Sequence, residues 1–272
     1  MWGLDRGLGM RVRVWHGQMT TPFLAFKPLP WQERFLRSRK KSPWAIGANR
    51  SGKTECGAWK MASRLIGYCP ITGQEYPDGG KYWAIAVDFP SSLVVREKIE
   101  KYLGVEGRDW TFSETQRCFT YKHTGSRCWL KSCDSGRKKL QGQDLDGAWF
   151  DEEPPFEVFK EVWTRCIDRA GQVWGTMTPI EGSAWLYQRV YATDDPDFDI
   201  ITMAMTDNKY IPPEEIERAK KLYRDEDEIA IRVGGEFRLM LGRPVLHIPS
   251  LQQIQKLHIR QPSYRGYLRR AS

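Results

Sequence analysis

The chain of 272 residues predicts an α/β fold, with a mostly parallel central sheet flanked by helices. Three observations carry that expectation. Short apolar runs suited to buried strands alternate with stretches of helical period along most of the sequence. Residues 47–54 read Gly-Ala-Asn-Arg-Ser-Gly-Lys-Thr, a complete G-x-x-x-x-G-K-T pattern between an apolar run and an amphipathic stretch. A second apolar run, Gly147-Ala148-Trp149-Phe150, ends in Asp151-Glu152-Glu153-Pro154-Pro155.

Taken in order, Met1 to Met19 carries Arg11, Arg13 and His16 without the continuous apolar core of a secretory signal. Pro28-Leu29-Pro30-Trp31-Gln32 opens an amphipathic stretch reaching Lys41. Trp44 to Ile46 reads as a strand and Thr54 to Ile66 as a helix, with Ala58, Met61, Ala62, Leu65 and Ile66 on one face. Lys81 to Val87 is a strand. Ser91 to Leu103 is a helix expected to turn Leu93, Val94, Ile99 and Leu103 inward. Arg117–Tyr121 and Arg127–Lys131 read as a paired insertion turning at Gly125-Ser126. Strands follow at 147–150, 172–178 and 199–205, then charged amphipathic helices at Glu214–Tyr223 and Glu226–Val233. Gly242 to Ser272 reads as a linker or tail. The expected partition is a basic N-terminal extension at 1–27, a core at 28–205, a small helical subdomain at 206–240 and a basic tail at 241–272.

The G-x-x-x-x-G-K-T loop specifies a ligand. Gly47 and Gly52 let the backbone curl, so that successive N–H groups from Gly47 through Ala48, Asn49, Arg50 and Ser51 can face phosphate oxygens. Lys53 can bridge β- and γ-phosphates, and the Thr54 hydroxyl can ligate the Mg2+ that accompanies ATP. The helix that follows offers its free N-terminal amides to the same anion. Hydrolysis needs more: Asp151 at a strand end can hold Mg2+, and Glu152 can activate or orient water, with Glu153 its rival.

Four further segments narrow the reading. Gln32 offers both a donor and an acceptor to an adenine edge. Arg50 adds a cation inside the loop. Ser135-Gly136-Arg137-Lys138-Lys139-Leu140-Gln141-Gly142 precedes the acidic motif, and Val173-Trp174-Gly175-Thr176-Met177-Thr178-Pro179 is a strand ending in two hydroxyls. Thr176 and Thr178 are expected beside the γ-phosphate, where they would report its loss.

Together these resemble the ATPase domain of the large terminase subunit of tailed bacteriophages, over Pro28 to Arg243. The resemblance rests on Asn49-Arg50-Ser51-Gly52-Lys53-Thr54, Phe150-Asp151-Glu152-Glu153-Pro154 and Gly175-Thr176-Met177-Thr178-Pro179. It also includes Asp207-Asn208-Lys209-Tyr210-Ile211-Pro212 and Gly234-Gly235-Glu236-Phe237. It implies a P-loop NTPase of the additional-strand, catalytic-glutamate type with a small helical lid. By the same resemblance Gln32 contacts adenine, and Lys53 and Thr54 hold phosphates and metal. Asp151 is the Walker B aspartate, Glu152 the catalytic glutamate, Thr176 to Thr178 the coupling motif, and Arg50 the in-loop arginine. A trans-acting arginine is also implied. Arg137 is the candidate, and it fits a solvated or DNA-contacting basic loop equally well.

The implied partners are double-stranded DNA, the portal of a procapsid, the terminase small subunit and further copies in a ring, in the host cytoplasm. The family usually adds a nuclease whose carboxylates bind two metals. No Asp or Glu follows Glu236, so this chain is expected not to cut DNA. Two other readings share some of these features. A helicase-like ATPase needs a second motor domain, and a docking protein retaining a nucleotide fold need not keep Lys53, Thr54, Asp151 and Glu152.

Charge and cysteine usage agree with this picture. The net charge of +8 is concentrated at the ends: residues 1–42 carry nine Lys/Arg against two acids, and residues 241–272 carry six against none. Basic segments beside a nucleotide motor suit salt-dependent contact with DNA phosphates. Six cysteines without a C-x-x-C pair read as scattered reduced thiols. No run approaches the roughly 20 apolar residues of a membrane span.

Overall fold

The computed structural model describes residues 2–4, 11–13, 20–135, 142–179, 184–191, 193–223 and 225–237. In chain order, β1 (Trp2–Leu4) and β2 (Arg11–Arg13) pair antiparallel. They are followed by α1 (Thr21–Leu24), α2 (Pro30–Arg37), β3 (Ser42–Gly47) and α3 (Lys53–Ile66). Next come the short pair β4 (Tyr68–Cys69) and β5 (Gln74–Glu75), then β6 (Lys81–Ala86), α4 (Phe89–Leu103) and β7 (Trp110–Ser113). The chain continues through β8 (Cys118–Tyr121), β9 (Arg127–Ser132), β10 (Gly147–Asp151), α5 (Phe156–Arg165) and β11 (Gln172–Met177). It then runs through α6 (Ala184–Leu186), β12 (Phe198–Met203), α7 (Pro213–Leu222) and α8 (Glu226–Arg232).

Eight strands form one sheet in the order β12-β3-β11-β10-β6-β9-β8-β7. The pairings from β12 to β9 are all parallel, and β8 pairs antiparallel with both β9 and β7. β11 lies between β3, which feeds the Gly47–Thr54 loop, and β10, which carries Asp151. This is the inserted strand of the expected additional-strand arrangement.

Side chains alternate between two cores. Ala45, Ala84, Trp149 and Trp174 face α2, α3 and α4, while Trp44, Ile46, Trp83 and Phe150 face α5. Helices therefore cover both faces, as near-continuous apolar parallel strands require. α3 lies deepest: all of its residues from Cys56 to Ile66 are buried, well beyond the one face its period suggested. Gly57 allows this close approach, because a Cβ there would meet the Trp149 ring at 2.4 Å.

Three expectations change. Leu93 and Val94 are 45% and 51% exposed, and α4 instead buries Val95, Ile99, Tyr102 and Leu103. The helix starts earlier, at Phe89, because the Asp88 carboxylate caps it by accepting the Ser91 N–H at 2.7 Å. Ile99 and Leu103 are buried as expected, and in the first turns Ser92 and Val95 take the inward positions in place of Leu93 and Val94. The β8–β9 pair is not an insertion: β9 lies parallel to β6, and β7, unforeseen in sequence, extends the same sheet. The core also reaches back before residue 28, with Phe23 fully buried and stacked on Trp59 at 4.8 Å. The tail 241–272 lies outside the described residues.

Candidate active site

The functional motifs meet because parallel strands end together. Ile46 is level with Met177, and Asp151 with Thr176, so the carboxyl ends of β3, β10 and β11 form one rim. Ligands of open α/β sheets bind outside such a rim. The loop from Gly47 turns there into α3, with Arg50 and Gly52 at φ of 59° and 90°. Gly52 accepts this conformation without the penalty a side chain brings.

The loop is braced from within and from the side. Ser51 donates to the Ala48 carbonyl at 2.8 Å, and Lys53 Nζ donates to the Gly47 and Ala48 carbonyls at 3.0 and 2.6 Å. The Ala48 N–H bonds the Met203 carbonyl and the Asn49 N–H bonds the Arg232 carbonyl, each at 3.0 Å. Those two amides are thus directed at β12 and α8 rather than at a ligand, which corrects the expectation of an unbroken run of phosphate-facing N–H groups. The orphan amides of the first turn of α3 stand at the other end of the loop. The Arg50 side chain is exposed.

Asp151 is held in place by two hydroxyls. Its Oδ1 accepts from Thr54 Oγ1 at 3.0 Å and from Thr176 Oγ1 at 2.9 Å. Burial raises its pKa, and those two hydrogen bonds oppose the rise. Thr176 is itself fully buried and accepts the Trp149 indole N–H at 2.8 Å. Its hydroxyl is thus shared between the Trp149 indole and the Asp151 carboxylate at the rim.

Glu152 has a φ of 76°, a left-handed conformation costing on the order of 1–3 kcal/mol for a non-glycine residue. Its N–H bonds the Thr176 carbonyl at 2.7 Å, and its Oε2 accepts the Thr178 N–H at 2.9 Å. Burial pushes the Glu152 carboxyl upward and, across the site, the Lys53 ammonium downward. Thr178 therefore meets Glu152 by its backbone. Glu153 follows, half-buried.

Gln32 is buried on α2, where Oε1 accepts the Leu29 N–H at 2.8 Å and Nε2 donates to the Gly52 carbonyl at 3.1 Å. One amide hydrogen and one lone pair remain for a further partner. It lines a cleft of about 460 Å³ with Phe26, Ser51, Gly52, Asn208 and Tyr210. Sequence reasoning assigned no role to Asn208, whose Nδ2 donates to the Arg50 carbonyl at 2.7 Å. An asparagine beside a proline-bounded helix start carried no signal of contact with residue 50. Arg137 lies outside the described residues.

The family model for the N-terminal part of the T4likevirus-type terminase large subunit matches residues 45–243. This chain belongs to that family. It is 28% identical over 275 residues to the terminase large subunit of Salmonella phage P22, covering 83% of this chain and 53% of that protein. A terminase chain of this family thus spans here about half the length of its curated relative. Among solved structures it is similar to the large terminase ATPase domain of Thermus phage P74-26, with a TM-score of 0.64 and 19% identity over 79% of this chain and 96% of that one. It is also similar to the large terminase of a thermophilic bacteriophage in complex with ADP, with a TM-score of 0.60 and 14% identity over 80% and 53% of the two chains. At these identities the two structures support the terminase fold, with its parallel sheet and inserted strand.

Proposed function

We propose that this chain is the ATP-hydrolysing motor portion of a large terminase, which drives double-stranded DNA into a procapsid. The observation that carries the reading is the pair of linkages at the strand rim: Asp151 to Thr54 and Thr176, and Glu152 to the Thr178 amide. They join the phosphate loop, the acidic motif and the hydroxyl-bearing strand into one constellation. Relatives named as ATPase domains, or solved with ADP, support the same reading.

Thr54 and Asp151 suit magnesium. Their oxygens are 3.0 Å apart, which matches the edge of an octahedron with metal–oxygen distances of about 2.1 Å. When bound, that ion would neutralise phosphate charge. Lys53 would leave the loop carbonyls for β- and γ-phosphate oxygens, and Glu152 would take up the proton of the attacking water. Gln32 would offer its spare donor and acceptor to adenine. Loss of the γ-phosphate would be read at Thr178 through Glu152, with residues 206–240 as a lid responding to it. Portal, small subunit, DNA and neighbouring copies are the proposed partners, with the host cytoplasm as the setting. Arg50 and Arg137 are the proposed cations for transition-state charge.

The test is phosphate release with parallel binding of a non-hydrolysable ATP analogue. Glu152→Gln is expected to keep binding and to lower turnover about 100-fold or more, the usual scale for a lost general base. A large loss with Glu153→Gln and almost none with Glu152→Gln would reverse the assignment. Absence of hydrolysis by the wild-type chain with DNA and portal present would overturn the enzymatic reading itself.

A further inference from the structure

At the opposite end of the sheet lies a larger cleft, of about 1000 Å³, walled by the residues that lead into β3, β6, β10 and β11. β3 separates it from the phosphate loop: Lys41 precedes the first residue of that strand and Gly47 is its last. A six-residue strand puts the two sites about 17–20 Å apart. Neither the phosphate loop nor the acidic motif contributes to this cleft.

Its walls are strongly basic. Arg37, Arg39, Lys40, Lys41, Arg64 and Arg169 line it, against Glu75 and Asp146. Some of these cations have local partners. Arg37 pairs with Glu33 at 2.8 Å, Arg169 with Asp146 at 3.4 Å, and Lys40 donates to the Pro196 carbonyl at 2.7 Å. Lys41 donates to the carbonyls of Cys166 and Gly171, and burial lowers its pKa. Arg39 is exposed and has no ion-pair partner among the described residues.

A second observation is independent of charge. Ser38 Oγ, Arg64 Nε and Tyr82 Oη are buried polar atoms without a hydrogen-bond partner, and all three residues line this cleft. Arg64 is only 9% exposed and Tyr82 is fully buried. The Arg64 guanidinium is fixed by stacking 4.0 Å from the Tyr76 ring centroid and by a 2.9 Å hydrogen bond to Gln172 Oε1. A buried donor left unpaired is costly, so three on residues around one cleft mark a place where an acceptor is needed. All three can donate.

We propose that this cleft binds phosphate groups. A phosphate presents several acceptor oxygens, a full negative charge and no donor, which complements three unpaired donors set among four arginines and two lysines. The phosphate can belong to a nucleic-acid backbone or to a free phosphorylated compound. The exposed position of Arg39 and Lys40 at the rim suits the backbone source, because a duplex can lay a ridge of phosphates across the mouth of the cleft. The inference does not depend on ATP hydrolysis, and its readout is binding alone.

The test compares the whole chain with Arg39→Glu/Lys40→Glu, and with Lys220→Glu/Lys221→Glu on α7 as a control of equal charge change. The milder Arg39→Gln/Lys40→Gln variant guards against misfolding, which circular dichroism would detect. The first arm titrates a fluorescent 20-base-pair duplex at several salt concentrations. Two lost phosphate contacts are expected to weaken binding about tenfold and to reduce the salt slope by about two, with the control close to wild type. The second arm titrates inorganic tripolyphosphate into proteins that also carry Lys53→Ala, so that the phosphate loop does not compete. Loss in the first arm identifies the backbone source, and loss in the second alone identifies a free phosphorylated compound. Equal duplex and tripolyphosphate binding in all the proteins would overturn the proposal. Binding of poly-glutamate at the cleft with neither phosphate ligand would do the same, by assigning the cations to an acidic polypeptide.

Discussion

The side-chain amide of Asn208 donates to the backbone carbonyl of Arg50 at 2.7 Å, across 158 residues of sequence. The Asn49 N–H reaches the Arg232 carbonyl at 3.0 Å beside it. The phosphate loop is thus tied at two successive residues to the segment that carries α7 and α8. A small apolar cluster of Ala48, Met205, Ile216 and Val233 backs the same junction. Any rearrangement of the loop around phosphate must be felt by those helices, since both hydrogen bonds are to backbone atoms that move with it.

Replacing Asn208 by Ala should loosen this tie without touching the Lys53–Thr54 end of the loop. One neutral hydrogen bond is worth about 1 kcal/mol, so turnover should fall roughly fivefold, with analogue affinity nearly unchanged. Steady-state hydrolysis set against equilibrium binding distinguishes this outcome from simple loss of the site, in which both would fall together.

Thr176 should act by positioning Asp151. Thr176→Val leaves the Trp149 indole N–H unpaired in the core and removes one of the hydroxyls on Asp151 Oδ1. A stability loss of about 1–3 kcal/mol is expected, together with a higher magnesium concentration for half-maximal hydrolysis. Thr176→Ser keeps the hydroxyl and should restore the magnesium requirement. If valine shifted stability alone, the link to Asp151 would have no functional weight.

Lys60 offers a pH test away from the site. It is buried in α3, with the Phe35 carbonyl at 3.4 Å and the rings of Phe35 and Trp174 around it. Burial, helped by the nearby Arg64 charge, lowers its pKa to about 7. The unfolded chain keeps an ordinary lysine, so between pH 7 and about 10 it binds more protons than the folded one, and this residue makes stability rise with pH there. Lys60→Met should therefore raise stability at pH 7 by about 1–4 kcal/mol and flatten that rise, as measured by denaturant midpoints at pH 7 and 9. A variant less stable than wild type at both pH values would contradict this account.

Assembly is tested by mixing. If a neighbour's arginine completes the site, the isolated chain should be a weak ATPase whose specific activity climbs with concentration, since arginine fingers contribute roughly a thousandfold or more. Arg137→Ala and Glu152→Gln proteins, each inactive alone, should regain turnover when combined. High activity independent of concentration would rule out a trans-acting finger. Failure of the mixing alone would move the role from Arg137 to Arg50 within its own subunit.

Much of this chain was legible in sequence because the responsible signals are local. The Gly52-Lys53-Thr54 turn needs one glycine at positive φ followed by a helix start, and that is written in consecutive residues. The strands β3, β10 and β11 were visible as unbroken apolar runs, because strands buried on both faces have no polar side to show. What only the tertiary structure decided involves partners far apart in sequence. That Thr176 hydrogen-bonds Asp151 follows from strand register, which sets the two residues level across β10 and β11. Likewise, Ala48 and Asn49 point their amides at Met203 and Arg232, and three unpaired donors meet in a basic cleft under the sheet, because the chain returns to these places from a distance. A hydrogen bond over such a span has no period and no motif; its partners are fixed only when the core packs.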